Sequence, residues 1–307
     1  HSHSTDCPVT KELQALLAEY AGVDEDQILM GNGADELLYY FFVANRQNSQ
    51  STLLMPAPSY FDYLTYSRAI GMRQLLVDLD SDMQIDRERW EKLIRRKNVT
   101  CAVICNPNNP TGNIMKDWAI ENIISSTYKP VLVDEAYFEF SGTTLAHLIN
   151  DYDNMFVLRT FSKGFFAAGL RFGYIIGSKQ GIAELRKVFT AFNIRLVIQS
   201  IARTFLRNQD YFTERRNRLI SERQRLYNTM FKMDRIGPLE TKTNFVTFRC
   251  PGIKDELHSF IGSRNIAVRD VSGHPILEDC LRVTVGLPSE NDMFLQAVKD
   301  FLESQRV

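Results

Sequence analysis

Six short, mostly apolar runs recur along the first two-thirds of the chain: TLLM (52 to 55), RQLLV (73 to 77), CAVIC (101 to 105), VLV (131 to 133), MFVLR (155 to 159) and GYIIG (173 to 177). Strands that are apolar on both faces can be buried only in a sheet covered by helices on each side. Helix-patterned stretches beginning near Ser59, Asp86 and Lys116 lie between several of the runs and supply the crossovers that parallel strands need. The fold class is therefore read as α/β, with a mostly parallel central sheet flanked by helices. One more helix precedes the runs: Asp6 and Pro8 mark its start, VTKELQALLAEYAG carries apolar residues at helical spacing, and Gly22 ends it.

Beyond about residue 178 the pattern changes. Helical stretches run to Met233, among them the amphipathic TERRNRLISERQRLYNTMF, whose basic face reads as a solvated helix linking two domains. Past Gly237 and Pro238, strand-like NFVTF, IAVRD and LRVTV alternate with helices near Lys254 and Ser289. The expected organisation is a large α/β domain over 1-210 and a small C-terminal α+β domain over 211-307, opened by the linking helix at about 211-233.

Several function classes lose support here. A formal net charge of −1, with acids and bases interspersed, gives no electrostatic footprint for nucleic acid or an anionic membrane. No apolar stretch approaches the roughly 18 residues of a membrane span, and HSHSTDCPV lacks the basic and apolar regions of a secretory signal. The five cysteines (Cys7, Cys101, Cys105, Cys250, Cys280) are odd in number and mostly sit in apolar runs, so reduced thiols and a cytoplasmic compartment are expected. His1 and His3 lie in a polar terminus, and no metal site is expected.

In α/β sheets ligands bind outside the carboxyl ends of the strands. NPNNPTG follows CAVIC, DEAYFEF follows VLV, and TFSKGFFAAGLRFGY follows MFVLR. Alone, each has a plain explanation, because Asn-Pro segments make turns and a post-strand Asp is commonly a cap. Together, in this order, they mark a built site.

With these motifs the chain resembles the fold-type I pyridoxal-phosphate (PLP) aminotransferases over nearly its whole length, and most of all their histidinol-phosphate aminotransferase branch, an enzyme group of histidine biosynthesis. The resemblance implies that Lys163 of the Ser-Lys pair holds PLP as a Schiff base. A lysine of lowered pKa is a nucleophile toward an aldehyde and, once displaced by substrate, a nearby general base. It further implies that Asp134 pairs with the ring nitrogen, that Tyr137 and Asn109 donate to the ring's phenolic oxygen, and that Tyr60 stacks on the ring face. The cofactor phosphate would be held by the backbone N–H groups of Ala34 and Asp35 in GNGADE, with Thr160, Ser162 and Arg171. Arg282 in CLRVTVG would grip the acidic group of the substrate; Arg269 in NIAVRD reads equally as a structural salt bridge and is left out of the site.

The implied reaction moves an amino group from an amino acid or amino-alcohol phosphate, best matched by histidinol phosphate, to a 2-oxo acid such as 2-oxoglutarate. The implied assembly is a homodimer, without nucleic-acid or membrane partners. The family carries an N-terminal arm over the substrate pocket and a tyrosine, just before the first helix, that reaches the partner's cofactor phosphate. Here that region reads His1-Ser2-His3-Ser4, so neither feature is expected from these residues. Phe165 and Phe166 in GFFAAG depart from smaller residues in the family and are expected to add bulk beside the cofactor. Rival readings are a PLP decarboxylase of a phosphorylated amino acid such as threonine phosphate, and a PLP-binding sensor without catalysis. A dinucleotide-dependent dehydrogenase is disfavoured, because GNGADE is read as following a helix and lacks the full G-x-G-x-x-G spacing.

Overall fold

The computed structural model describes residues 7–190 and 193–305. Asp6 and the His1-Ser2-His3-Ser4 segment lie outside them. Helix α1 (Pro8–Ala21) starts at its proline, with Cys7 in the cap position, and ends where Gly22 turns left-handed at φ 71°. The Val23 N–H reaches back to the Ala18 carbonyl at 3.0 Å, closing the last turn.

All six runs are strands. Along the chain come β1 (Ile28–Gly31), α2 (Ala34–Asn45), β2 (Thr52–Ala57), α3 (Asp62–Ala69), β3 (Arg73–Asp78), α4 (Arg87–Ile94), β4 (Val99–Cys105), α5 (Asp117–Ser125), β5 (Val131–Asp134), α6 (Phe138–Ser141), β6 (Met155–Thr160) and β7 (Gly173–Gly177). They form a seven-stranded sheet in the order β1-β7-β6-β5-β4-β2-β3. From β3 to β6 every pairing is parallel, while β7 runs antiparallel to both β6 and β1. Strand β1 is absent from the sequence reading. GNGADE therefore follows an edge strand rather than a helix. Both faces of the sheet are buried, as successive residues of β4 show: Ala102 and Ile104 enter one core, and Cys101, Val103 and Cys105 the other.

Helices α7 (Lys179–Arg186), α8 (Leu196–Arg207) and α9 (Gln209–Met230) lead to a second sheet. It comprises β8 (Gly237–Pro238), β9 (Phe245–Arg249), β10 (Arg269–Asp270) and β11 (Cys280–Thr284), in the antiparallel order β10-β11-β9-β8. Helices α10 (Lys254–Ser263) and α11 (Pro288–Ser304) share its core, which centres on Val246, Phe248, Leu257, Phe294 and Val298.

The basic face of α9 is solvated only in part. Arg218 pairs outward with Glu214 at 2.5 Å, but Arg216 and Arg223 are buried. Arg223 donates to the Thr243 carbonyl at 2.8 Å, and Arg216 to the Gly164 carbonyl at 3.3 Å. Long side chains can bury their stems while their heads find carbonyls, so a basic stripe alone does not reveal which way it faces. All five cysteines are free thiols. Among the described residues no helix is long and apolar enough to cross a membrane.

Candidate active site

A cavity of about 180 Å³ opens at the carboxyl ends of β4, β5 and β6. Lys163 lines it together with every residue expected to touch the cofactor: Ala34, Asp35, Tyr60, Asn109, Asp134, Tyr137, Thr160, Ser162 and Arg171. Strand register explains how distant segments meet there. Gly31 and Thr160 both pair with Gly173, which draws the GNGADE turn, the end of β6 and Arg171 into one row. The approach is close: a Cβ on Gly173 would stand 3.0 Å from the Ala34 nitrogen, and one on Gly33 would stand 2.9 Å from the Arg171 guanidinium. No side chain caps the first turn of α2, which leaves its N-terminal amides free, and its first residues Ala34 and Asp35 line the cavity together with Arg171. Arg171 pairs with Asp35 at 2.5 Å, and the Asp35 carboxylate also accepts from the Tyr60 hydroxyl at 3.3 Å.

Asp134, the last residue of β5, is buried, and burial pushes its carboxyl up to about 6 against the pull of its donors. Those donors are the Ala136 N–H, 3.0 Å from Oδ1, and the Tyr63 hydroxyl, 2.6 Å from Oδ2. The Lys163 amine is drawn below its ordinary value, first by burial and then by the charge of Arg282. Its Nζ lies 5.4 Å from the centre of the Tyr137 ring, whose hydroxyl burial pushes up. The Thr160 hydroxyl accepts from the Ser162 N–H at 3.1 Å, fixing the turn that carries Lys163.

Arg282 stands in an adjoining cavity that shares Tyr60 and Asn109 with the first. Its Nη1 donates to Asn109 Oδ1 at 2.6 Å, and its guanidinium lies 4.7 Å from the Phe245 ring centre. Its buried Nε has no partner. Arg269 is directly opposite on β10, exposed and without an ion pair among the described residues, so the salt-bridge alternative is not realised.

Neither phenylalanine of GFFAAG lines the cavity. Phe165 stacks on Phe161 at 4.2 Å in the core, and Phe166 is 44% exposed. The reading missed Tyr63 and Cys105, the latter a cavity-lining thiol pushed well up by burial. Tyr63 lies three residues after Tyr60 in PAPSYFDY, and only this helical spacing hinted that the two share a face.

The cavity thus joins an anion cradle of helix amides and arginine, a carboxylate with a donor on each oxygen, and an amine of lowered basicity. That donor set fits a phosphorylated heteroaromatic aldehyde.

The family model for aminotransferase class I and II matches residues 2–298. The histidinol-phosphate aminotransferase of Aquifex aeolicus is 35% identical over 97% of this chain and 83% of its own length. The crystal structure of the histidinol-phosphate aminotransferase from Clostridium acetobutylicum has a TM-score of 0.89 at 25% identity, covering 99% of this chain and 92% of that one. An L-threonine-O-3-phosphate decarboxylase from Porphyromonas gingivalis, at 24% identity and a TM-score of 0.80 over 95% of this chain and 88% of its own, shares the fold.

Proposed function

The chain belongs to the class I and II aminotransferases, a pyridoxal-phosphate-dependent family, and on that premise we propose that it transfers an amino group from histidinol phosphate to a 2-oxo acid such as 2-oxoglutarate. The observation that carries this reading is the convergence on one cavity of Lys163, Asp134, Arg171 and the α2 N-terminus, with Arg282 at its edge. Bound there, PLP supplies an electron sink for the charge left when the substrate's α-proton departs.

The chain's own residues then divide the work. Lys163 would hold the cofactor covalently and, once displaced, its amine, of lowered basicity, would take and hold the substrate's α-proton. Asp134 would keep positive charge at the ring nitrogen, Tyr137 and Asn109 would donate to the phenolic oxygen, and Tyr60 would stack on the ring. Thr160, Ser162, Arg171 and the amides of Ala34 and Asp35 anchor the phosphate. Arg282 binds the acidic group of each substrate in turn, since its fork of donors accepts phosphate or carboxylate.

Two wider assignments are part of the same proposal. The division into a large and a small domain is supported by the two separate cores, which α9 bridges: Phe212, just past the proposed boundary at 210 and 211, still joins the core of the large sheet, while Leu226 and Met230 join that of the small one. A homodimer is supported by Leu196, Val197 and Ile201, which leave an exposed apolar face on α8. Full activity from a species sedimenting as a monomer would overturn that assembly.

The deciding experiment is borohydride reduction of the PLP-loaded protein followed by mass mapping, with assays of histidinol phosphate and 2-oxoglutarate. Label on Lys163 and formation of glutamate are expected, with Lys163→Ala folded, unlabelled and slower by about 10⁴-fold. Label elsewhere would remove the Lys163 assignment, and stoichiometric carbon dioxide release from a phosphorylated amino acid would replace transamination with decarboxylation.

A further inference from the structure

A carboxylate taken out of water takes up a proton unless donors stabilise its charge. Asp134 is 4% exposed, and among the described residues its side chain accepts from two donors, the Ala136 N–H and the Tyr63 hydroxyl. The first is local, two residues along the chain. The second comes from 71 residues away and is the shorter, at 2.6 Å, a length typical of a hydroxyl donating to a charged oxygen.

Tyr63 has no exposed surface. It sits in the first turn of α3, where its ring also stands edge-on to Tyr60, with centres 5.4 Å apart and planes at 86°. One buried side chain therefore touches two cavity residues: the carboxylate expected at the ring nitrogen and the aromatic expected over the ring face. Burial and the neighbouring Asp134 hold the Tyr63 hydroxyl well above its ordinary range, so it stays a donor at every working pH.

We propose that Tyr63 is a positioning residue: its hydroxyl keeps the Asp134 carboxylate charged and aimed into the cavity, and its ring sets the angle of Tyr60. The roles of Asp134 and Tyr60 toward PLP rest on the function proposed above; the Tyr63–Asp134 bond requires no cofactor. The other titratable groups facing Asp134 are Cys105 at the end of β4, Asp35 on α2, Tyr137 after β5 and Lys163 after β6. Asp35 disfavours the charged form of Asp134 and Lys163 favours it, while among the described residues the Tyr63 hydroxyl makes the one side-chain hydrogen bond to it.

The test uses the cofactor-free full-length chain. Infrared difference spectra, with Asp134→Asn as the reference, follow the Asp134 carboxyl band against pH in the wild-type chain and in Tyr63→Phe, which keeps the ring and removes only the hydroxyl. The midpoint is expected to rise by about one pH unit, a tenfold gain in proton affinity. PLP affinity at neutral pH should fall with it, while circular dichroism stays unchanged. An unmoved midpoint in a folded Tyr63→Phe overturns the proposal. Should that variant not fold, the wild-type chain decides: a slowly exchanging, strongly downfield hydroxyl proton that disappears in Asp134→Asn supports the bond, and its absence overturns it. Failure of the proposed function would appear as a missing label on Lys163 and would leave both readouts unaffected.

Discussion

Asp134 is buried and Arg282 half-buried, and the surroundings of these two charges treat them differently. Burial pushes both toward neutrality, the carboxyl up and the guanidinium down. Asp134 nevertheless has a donor on each oxygen, both from fixed groups of the large sheet and its helices. Among the described residues Arg282 has one hydrogen-bond partner, Asn109, and an unpaired Nε, with Arg269 directly across the ladder. Like charges facing each other on adjacent strands repel. The floor of the cavity is therefore complete in itself, whereas the small-sheet side keeps donors and positive charge available for an anion. On the function proposed above, the first end would hold the cofactor and the second would exchange substrates.

That contrast can be broken by substitution. Asp134→Ala should retain some PLP yet lose about 10²- to 10³-fold in kcat, the scale of removing a fixed electrostatic stabiliser. Unchanged turnover would mean the floor does not act on the chemistry. Arg282→Leu should leave borohydride labelling of Lys163 intact while raising KM for acidic substrates about 10- to 100-fold, the scale of a lost charge-assisted hydrogen bond. A matching loss of labelling would show that both ends serve the cofactor.

The smallest effect is thermal. Burial pushes the Asp134 carboxyl up to about 6 from an ordinary value of 3.8, so the folded chain holds this proton more tightly than the unfolded chain does while leaving the group charged at neutral pH. Its contribution, measured relative to Asp134→Asn, is fully present below about pH 4 and is lost as pH rises through about 6. In the cofactor-free protein the Tm of the wild-type chain should fall against that of the variant by a few degrees across this window. A flat difference would mean that its donors already offset its burial.

Much of this was legible because it is local. The runs that became β2 to β7 announce themselves by apolar content and by the turns that follow them. What escaped had no local signature. Arg216 and Arg223 of α9 look like any solvated basic pair until the carbonyls of Gly164 and Thr243 come within reach. Phe165 and Phe166 are neighbours of identical type, yet one is buried and the other 44% exposed, because the positive φ of Phe166 turns its side chain away from the core.

By itself, the sequence determined that a mostly parallel sheet would form and which chemistry-bearing residues would stand at its strand ends, since both follow from residues close together in the chain. The tertiary structure alone decided which of those ends would meet. Sheet order sets β2 beside β4 and sends β3 to the edge. The helix after β2 can then bring Tyr63 to Asp134 across 71 residues, and the small sheet brings Arg282 to Asn109 across 173. No pattern within a window of residues encodes such pairings, because they depend on how whole elements pack rather than on how neighbouring side chains alternate.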